Sequence, residues 1–580
     1  MGVRIFIPDP APSGRRRGFM NQSWRLERGD PGRAARRTAR TGPVRGRLTG
    51  TLALLSLSVA GLAAPAQPAV AVSPTLVGVG RLSPWTACGD GAQCATLPVP
   101  LDYARPAAGT ITLAVTRRPA RDTARRIGSL VFLAGGPGQS GVDVMKSSSE
   151  WFDPPVRDRF DIVGFDQRGV GGSRPAVSCS SDQENATTQS SDAKGAPVRP
   201  SVSGSRADGE GHSSLDSTDP LADFRYAAKL ASETAQQCKE YTPTLLPYLS
   251  TEAAARDVDL LRAALGDKKL TAFGSSYGTQ LGATYAALFP THIRALVLDA
   301  VVDAALSINQ PLERLRVHTE GFEAALDAFL ADCAHDPACH FGGGDPAGAY
   351  DRLMARLERR PIRAEGKDVD KSQPITADIA RWGVIEALYS QQNWKILAQA
   401  LQQADEDNNG AMLLSLASEG DDLSVYLGDD LSSGRRPGES SDNSNDAYIA
   451  IRCADGTYPT DLAAYQRFAD RLRREAPRLG PTMAYGEMAC ARWPVHSASR
   501  YTGPFRAQGA PPILLVGTIG DPATPYSEAR SLASQMASAV LLTWRSYTHG
   551  AYTGPSSCIY TAVDHYLLDL VPPRPGTVCS

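Results

Sequence analysis

Ser276 occupies the centre of Gly274-Ser275-Ser276-Tyr277-Gly278, a G-x-S-x-G spacing between the apolar run Leu270 to Phe273 and a small-residue apolar stretch that stops at Pro290. A strand, a tight turn and a helix in immediate succession push a serine hydroxyl clear of a sheet, and the two glycines remove the Cβ atoms that would clash there. The same spacing also arises by chance in glycine turns, so partner residues must decide its meaning. A hydroxyl is a poor nucleophile at neutral pH. It needs a histidine base, and that base needs an acid to fix its tautomer and stabilise its charged form.

Eight histidines compete for the role. His549, in Ser546-Tyr-Thr-His-Gly550, follows the last strand signal, where a base at a sheet edge belongs. His565 falls inside a helix, His292 follows Pro290, His212 lies in a polar stretch, and His318, His335, His340 and His496 lie in a helical region. For the acid, Asp521 follows its strand in Gly517-Thr-Ile-Gly-Asp-Pro-Ala-Thr-Pro525, a loop whose glycines and prolines hold a carboxylate rigidly; Asp299, also at a strand end, is the rival. The order Ser276, Asp521, His549 is that of α/β hydrolases and not of chymotrypsin or subtilisin types. A tetrahedral intermediate would find oxyanion donors in the N–H of Tyr277 and in the Gly135-Gly136-Pro137-Gly138 loop, where Gly136 is the candidate. That loop read alone could be ordinary, and as a phosphate loop it lacks the lysine and the glycine spacing.

The elements that must carry these residues are legible in outline. Strand signals run through Leu97 to Tyr103, Gly109 to Val115, Leu130 to Ala134, Phe160 to Asp166, Leu270 to Phe273 and Ile293 to Asp299, and resume at Pro512 to Gly517 and Ala539 to Trp544. Continuous apolar strands closed by glycine turns predict a mostly parallel sheet buried on both faces and flanked by helices. Helical patterns cover Phe224 to Cys238, Thr251 to Leu265, Leu312 to Cys333, Tyr350 to Glu358, Thr376 to Ala400 and Ile559 to Leu570. The fold class is therefore α/β, with residues 72–303 and 504–580 forming one core, a large helical cap over 304–503 inserted before the last strands, and a polar disordered insertion over 181–219.

Residues 1–71 read as an export signal. Twelve arginines and only Asp9, Glu27 and Asp30 precede Leu52 to Ala64, and small residues follow at Ala64-Pro-Ala66 and Ala69-Val-Ala71; Met20 is an alternative start. Of 60 basic and 62 acidic side chains in the chain, 48 and 59 lie beyond that leader, a balance of −11. An acidic mature protein argues against nucleic acid and against an anionic membrane surface as partners. Ten cysteines in an exported chain favour disulfides, and their spacing suggests Cys88–Cys94, Cys179–Cys238, Cys333–Cys339, Cys453–Cys490 and Cys558–Cys579. No metal or other cofactor is called for, and a secreted monomer is the expectation.

Gly135-Gly-Pro-Gly-Gln-Ser-Gly141, Asp166-Gln-Arg-Gly-Val-Gly-Gly-Ser173, Gly274-Ser-Ser-Tyr-Gly278, Gly520-Asp521 and His549-Gly550 together resemble the prolyl iminopeptidase and tripeptidyl aminopeptidase group of α/β hydrolases. The resemblance is closest to secreted bacterial tripeptidyl aminopeptidases. It extends from about Trp85 onward, and Cys453-Ala-Asp455 and Cys490-Ala-Arg-Trp-Pro494 look like that group's connection of cap to core. It implies an exopeptidase that takes short peptides from peptide or protein substrates with free amino termini. Ala134 stands where prolyl iminopeptidases usually carry histidine, which favours the tripeptidyl type. An aminopeptidase needs a carboxylate for the substrate's ammonium, and Asp455 is the candidate, with a capping or turn aspartate as its plain alternative. Two other classes compete: a secreted carboxylesterase or lipase using the same three residues, and a non-catalytic binding protein on the fold.

Overall fold

Hydrophobic runs in this chain pair into one ten-stranded sheet. In chain order the strands are β1 (Thr86–Ala87), β2 (Gln93–Pro100), β3 (Thr110–Arg118), β4 (Gly128–Leu133), β5 (Phe160–Phe165), β6 (Leu270–Ser275), β7 (Ile293–Asp299), a separate antiparallel pair β8 (Ile362–Arg363) and β9 (Pro374–Ile375), then β10 (Ile513–Thr518), β11 (Ala539–Trp544) and β12 (Val578–Cys579). The sheet order is β1-β2-β3-β5-β4-β6-β7-β10-β11-β12. β1, β2, β3 and β5 pair antiparallel, and every pair from β5 onward is parallel. The computed structural model describes residues 78–89, 91–147, 151–180, 220–365, 374–419, 443–497 and 499–580. The export segment and the polar insertion over 181–219 lie outside the described residues.

Every residue of β4, β5 and β10 is buried, as a parallel sheet covered on both faces requires. Alternate side chains feed two cores. Val131 and Leu133 pack on one face with Val258, Leu261 and Leu281, while Leu130 and Phe132 pack on the other with Phe273, Ile559 and Val563. The helix Thr251–Ala264 starts at Ser250, whose hydroxyl accepts the Ala253 N–H at 3.3 Å. Among the described residues no helix is long and apolar enough to cross a membrane.

Between β7 and β10 the chain runs mostly through helices, and these divide. Leu353, Trp382, Leu397 and Leu413 build a core of their own, whereas Ala447, Ile449, Ala450 and Cys453 of the helix Ser444–Asp455 pack into the core of the sheet. The expected helix over Thr376 to Ala400 is two helices, Ala377–Leu388 and Trp394–Glu406. Ser390 breaks it: its backbone is extended and its hydroxyl accepts the Gln392 N–H at 3.3 Å, a local bond that competes with helix continuation.

All five cysteine pairs expected from spacing are joined, with Cα separations from 4.0 to 5.7 Å. The Asp166-Gln-Arg-Gly segment also has a scaffold role. Arg168, 1% exposed, donates to Asp257 at 2.7 and 2.6 Å and to the carbonyls of Pro100, Leu101 and Tyr248, which satisfies a buried charge. Asp166 accepts from Ser140 Oγ, the Val142 N–H and the Gly172 N–H, holding the end of the glycine loop against the end of β5.

Candidate active site

Ser276 has φ 53° and ψ −124°, a left-handed conformation that costs energy for any residue with a Cβ. Its neighbours explain how that turn is held. A Cβ on Gly274 would stand 2.5 Å from the Gly278 oxygen, and one on Gly278 would stand 2.0 Å from the Leu133 oxygen, so strand and helix could not approach so closely with any other residues. The Ser276 N–H donates to the Asp299 oxygen at 3.0 Å, and its carbonyl accepts from the Thr279 N–H at 2.8 Å and hydroxyl at 2.6 Å.

The sheet register brings the other loops to the same edge. Ser275 pairs with Asp299, Asp299 with Val516, and Val516 with Leu542, so the loops after β6, β7, β10 and β11 leave the sheet together. His549 Nδ1 lies 2.9 and 3.1 Å from the two oxygens of Asp521. Asp521 is buried and also accepts the N–H groups of Ala523 (3.0 Å) and Thr524 (2.8 Å) and the Thr524 hydroxyl (2.9 Å). Burial disfavours charge on His549, yet the Asp521 carboxylate outweighs it and raises the imidazole above its ordinary 6.5. Asp299 serves a different contact. Its oxygens accept the Ala551 N–H at 3.0 and 2.9 Å and the Tyr552 N–H at 2.9 Å, so it holds the backbone just after His549; burial pushes its carboxyl up to about 6.

Ser276, Tyr277, Gly136 and Asp455 line one cleft, with Pro137, Gln280, Arg314, Arg452 and Tyr458. Tyr277 opens the helix Tyr277–Leu288, so its N–H has no intrahelical acceptor. Gly136 has φ +94°, and among the described residues its N–H meets no protein acceptor. A Cβ on Gly135 would sit 3.3 Å from that of Ser276. Asp455 ends the helix Ser444–Asp455, and burial pushes its carboxyl up to about 6. Its oxygens accept the Thr251 N–H (2.8 Å), the Thr251 hydroxyl and Gln280 Nε2 (3.3 Å).

Several neighbours of these residues escape sequence reasoning. His318 Nδ1 donates to the Ala523 oxygen at 2.7 Å; burial and then Arg314 push its pKa well below 6.5, so the ring is neutral. Thr524 and the Asp521 side chain form a local turn that the Asp-x-x-Thr spacing could have signalled. Nothing local marks Thr251, His318 or Tyr389, because each reaches the site only through tertiary contact; Gln280 lies one turn after Ser276 on the same helix, and only its bond to Asp455 is tertiary.

A mostly parallel sheet, a strained serine after a central strand and a histidine–aspartate pair at the same edge form the layout of an α/β hydrolase. The model of the alpha/beta hydrolase fold matches residues 128–395, which include Ser276, and the model described as TAP-like protein matches residues 476–579, which include Asp521 and His549. The chain is 34% identical over 528 residues to "Serine protease Hip1" of Mycobacterium tuberculosis, covering 86% of this chain and 91% of that one. It is also 34% identical over 560 residues to "Carboxylesterase B" of the same species (92% and 96% covered), and 33% identical over 490 residues to "Tripeptidyl aminopeptidase" of Streptomyces lividans (82% and 81% covered). The chain belongs to the TAP-like family of α/β hydrolases.

Proposed function

We propose that this chain is a secreted serine exopeptidase that releases short peptides, tripeptides in the first instance, from free amino termini. Ser276 Oγ attacks the scissile carbonyl carbon while His549 Nε2 takes its proton. The oxyanion accepts hydrogen bonds from the Tyr277 and Gly136 N–H groups, and Asp521 holds the imidazolium. Collapse breaks the C–N bond as His549 protonates the leaving amine. Water then attacks the acyl-enzyme with His549 as base, the peptide acid departs, and the proton returns to Ser276. Asp455 supplies the negative charge for the substrate's ammonium, and the helices over 304–503 limit the length of peptide admitted.

The observation that carries the reading is the contact of His549 Nδ1 with Asp521 at 2.9 Å, which leaves Nε2 as the basic nitrogen. The disulfides and the arginine-led apolar segment support export. Product mass analysis on a mixed-sequence peptide tests it: tripeptides should appear from the free peptide, disappear on amino-terminal acetylation, and be absent with Ser276→Ala. A carboxylesterase is the second reading, favoured by the hydrogen bonds that Asp455 already accepts within the protein. Under it, short acyl esters would turn over well and acetylation of peptides would change nothing.

A further inference from the structure

We propose that Asp455 is a positioning residue for the oxyanion site, acting through Thr251 on Tyr277. The inference rests on the reading of Tyr277 as an oxyanion donor and goes beyond the ammonium contact assigned to Asp455 above. Tyr277 Oη lies 2.6 Å from Thr251 Oγ1, which in turn meets Asp455 Oδ2. Proton direction follows from chemistry. A carboxylate only accepts, so the Thr251 hydroxyl must donate to Asp455, and the Tyr277 hydroxyl must then donate to Thr251. Burial, followed by the field of Asp455, raises the Tyr277 phenol well above its ordinary range, so it keeps the proton this chain needs. Gln280, one turn further along the same helix, donates to the same oxygen of Asp455. Two of the first four residues after Ser276 are thus held from one side chain.

The other end of the helix Ser444–Asp455 reaches the second oxyanion element. A Cβ on Gly138 would lie 2.3 Å from the Ser444 oxygen and 3.0 Å from the Tyr448 nitrogen, so this helix presses directly on the loop of Gly136. Its middle is packed into the core of the sheet, and the Cys453–Cys490 disulfide ties it two residues before Asp455. One rigid helix therefore sets both donors: its start bears on the Gly136 loop, and its last residue orients the side chain of the residue that presents the other N–H. Ser250 already caps the helix Thr251–Ala264, so the bonds of Asp455 to Thr251 are additional to ordinary capping.

The test uses Thr251→Val, Thr251→Ser and Asp455→Asn in the full chain, with kcat and KM measured per site titrated by a fluorophosphonate. Two substrates are compared, p-nitrophenyl acetate, which carries no amine, and a tripeptide anilide with a free amino terminus. Thr251→Val should lower kcat about tenfold on both with KM little changed, less than the roughly 100-fold or greater loss from deleting an oxyanion donor outright. Thr251→Ser should restore it, and adding Thr251→Val to Asp455→Asn should cost little more than Asp455→Asn alone. An unchanged kcat on the acetate ester, with a raised KM only for the free-amine substrate, would leave Asp455 as an ammonium contact alone and overturn the proposal. A lowered melting temperature with unchanged kcat per titrated site would also overturn it, by reducing the network to a stabilising role. Failure of the fluorophosphonate to label wild-type Ser276 would instead sink the serine mechanism itself.

Discussion

The backbone N–H of His549 donates to the Tyr389 oxygen at 2.8 Å, and the two rings meet edge to face with centroids 5.4 Å apart. The loop that carries the imidazole is therefore tied to the helices inserted between β7 and β10. The same short segment grips its neighbours: Gln391 Oε1 accepts from the Tyr547 N–H and Ser546 Oγ, and the Gln391 N–H donates to Thr548 Oγ1. The helix break at Ser390 makes this contact possible, since a continuous helix would spend the Tyr389 oxygen on its own ladder.

Tyr389→Ala removes the ring against His549 and leaves the peptide bond in place. We expect kcat to fall by about one to two orders of magnitude, the scale on which small displacements of a reacting group matter. Steady-state kinetics on the acetate ester checks this, and an unchanged kcat would mean the backbone contact alone is sufficient.

Asp521 and Asp299 are separated by their partners. Asp521→Asn should cost about four orders of magnitude in kcat, because the amide favours the wrong imidazole tautomer. Asp299→Asn should cost far less, since Asp299 touches the N–H groups of Ala551 and Tyr552 and not the ring. Kinetics per titrated site ranks the two, and a larger loss at Asp299 would reverse the assignment of the acid.

With His549 as the proposed general base, only its neutral form takes the proton, so kcat/KM should rise with pH through a limb centred above 6.5. The sign for stability is the opposite. A histidine raised in the folded state contributes stability that is complete below its unfolded pKa and is lost as pH rises through its folded value. The melting temperature of the wild type should exceed that of His549→Gln at about pH 6 and lose that advantage toward higher pH. A difference that grows with pH would contradict the sign.

Asp257→Ala would leave the Arg168 guanidinium buried and without its carboxylate. Removing one partner of such a pair costs about 3–5 kcal/mol. Urea unfolding should register it as a lower midpoint, and a loss below about 1 kcal/mol would show that the three carbonyl acceptors of Arg168 suffice.

Features that depend only on neighbouring residues are legible in the sequence by itself. Apolar runs with glycine turns mark the parallel strands, the glycines around Ser276 mark a strained turn, and cysteine spacing marks the five bridges. The choice between Asp521 and Asp299 is not local: both follow strands, and only the path of the loop after β11 decides which one meets the imidazole and which one meets the backbone behind it. Asp455 is the sharper case. The need of an aminopeptidase for a carboxylate makes it a candidate contact for the substrate's ammonium, but its bonds to Thr251 and Gln280 span 204 and 175 residues of chain. A hydrogen bond between side chains so distant in sequence has no period or motif, so only the packing of the helix Ser444–Asp455 against the sheet could reveal it.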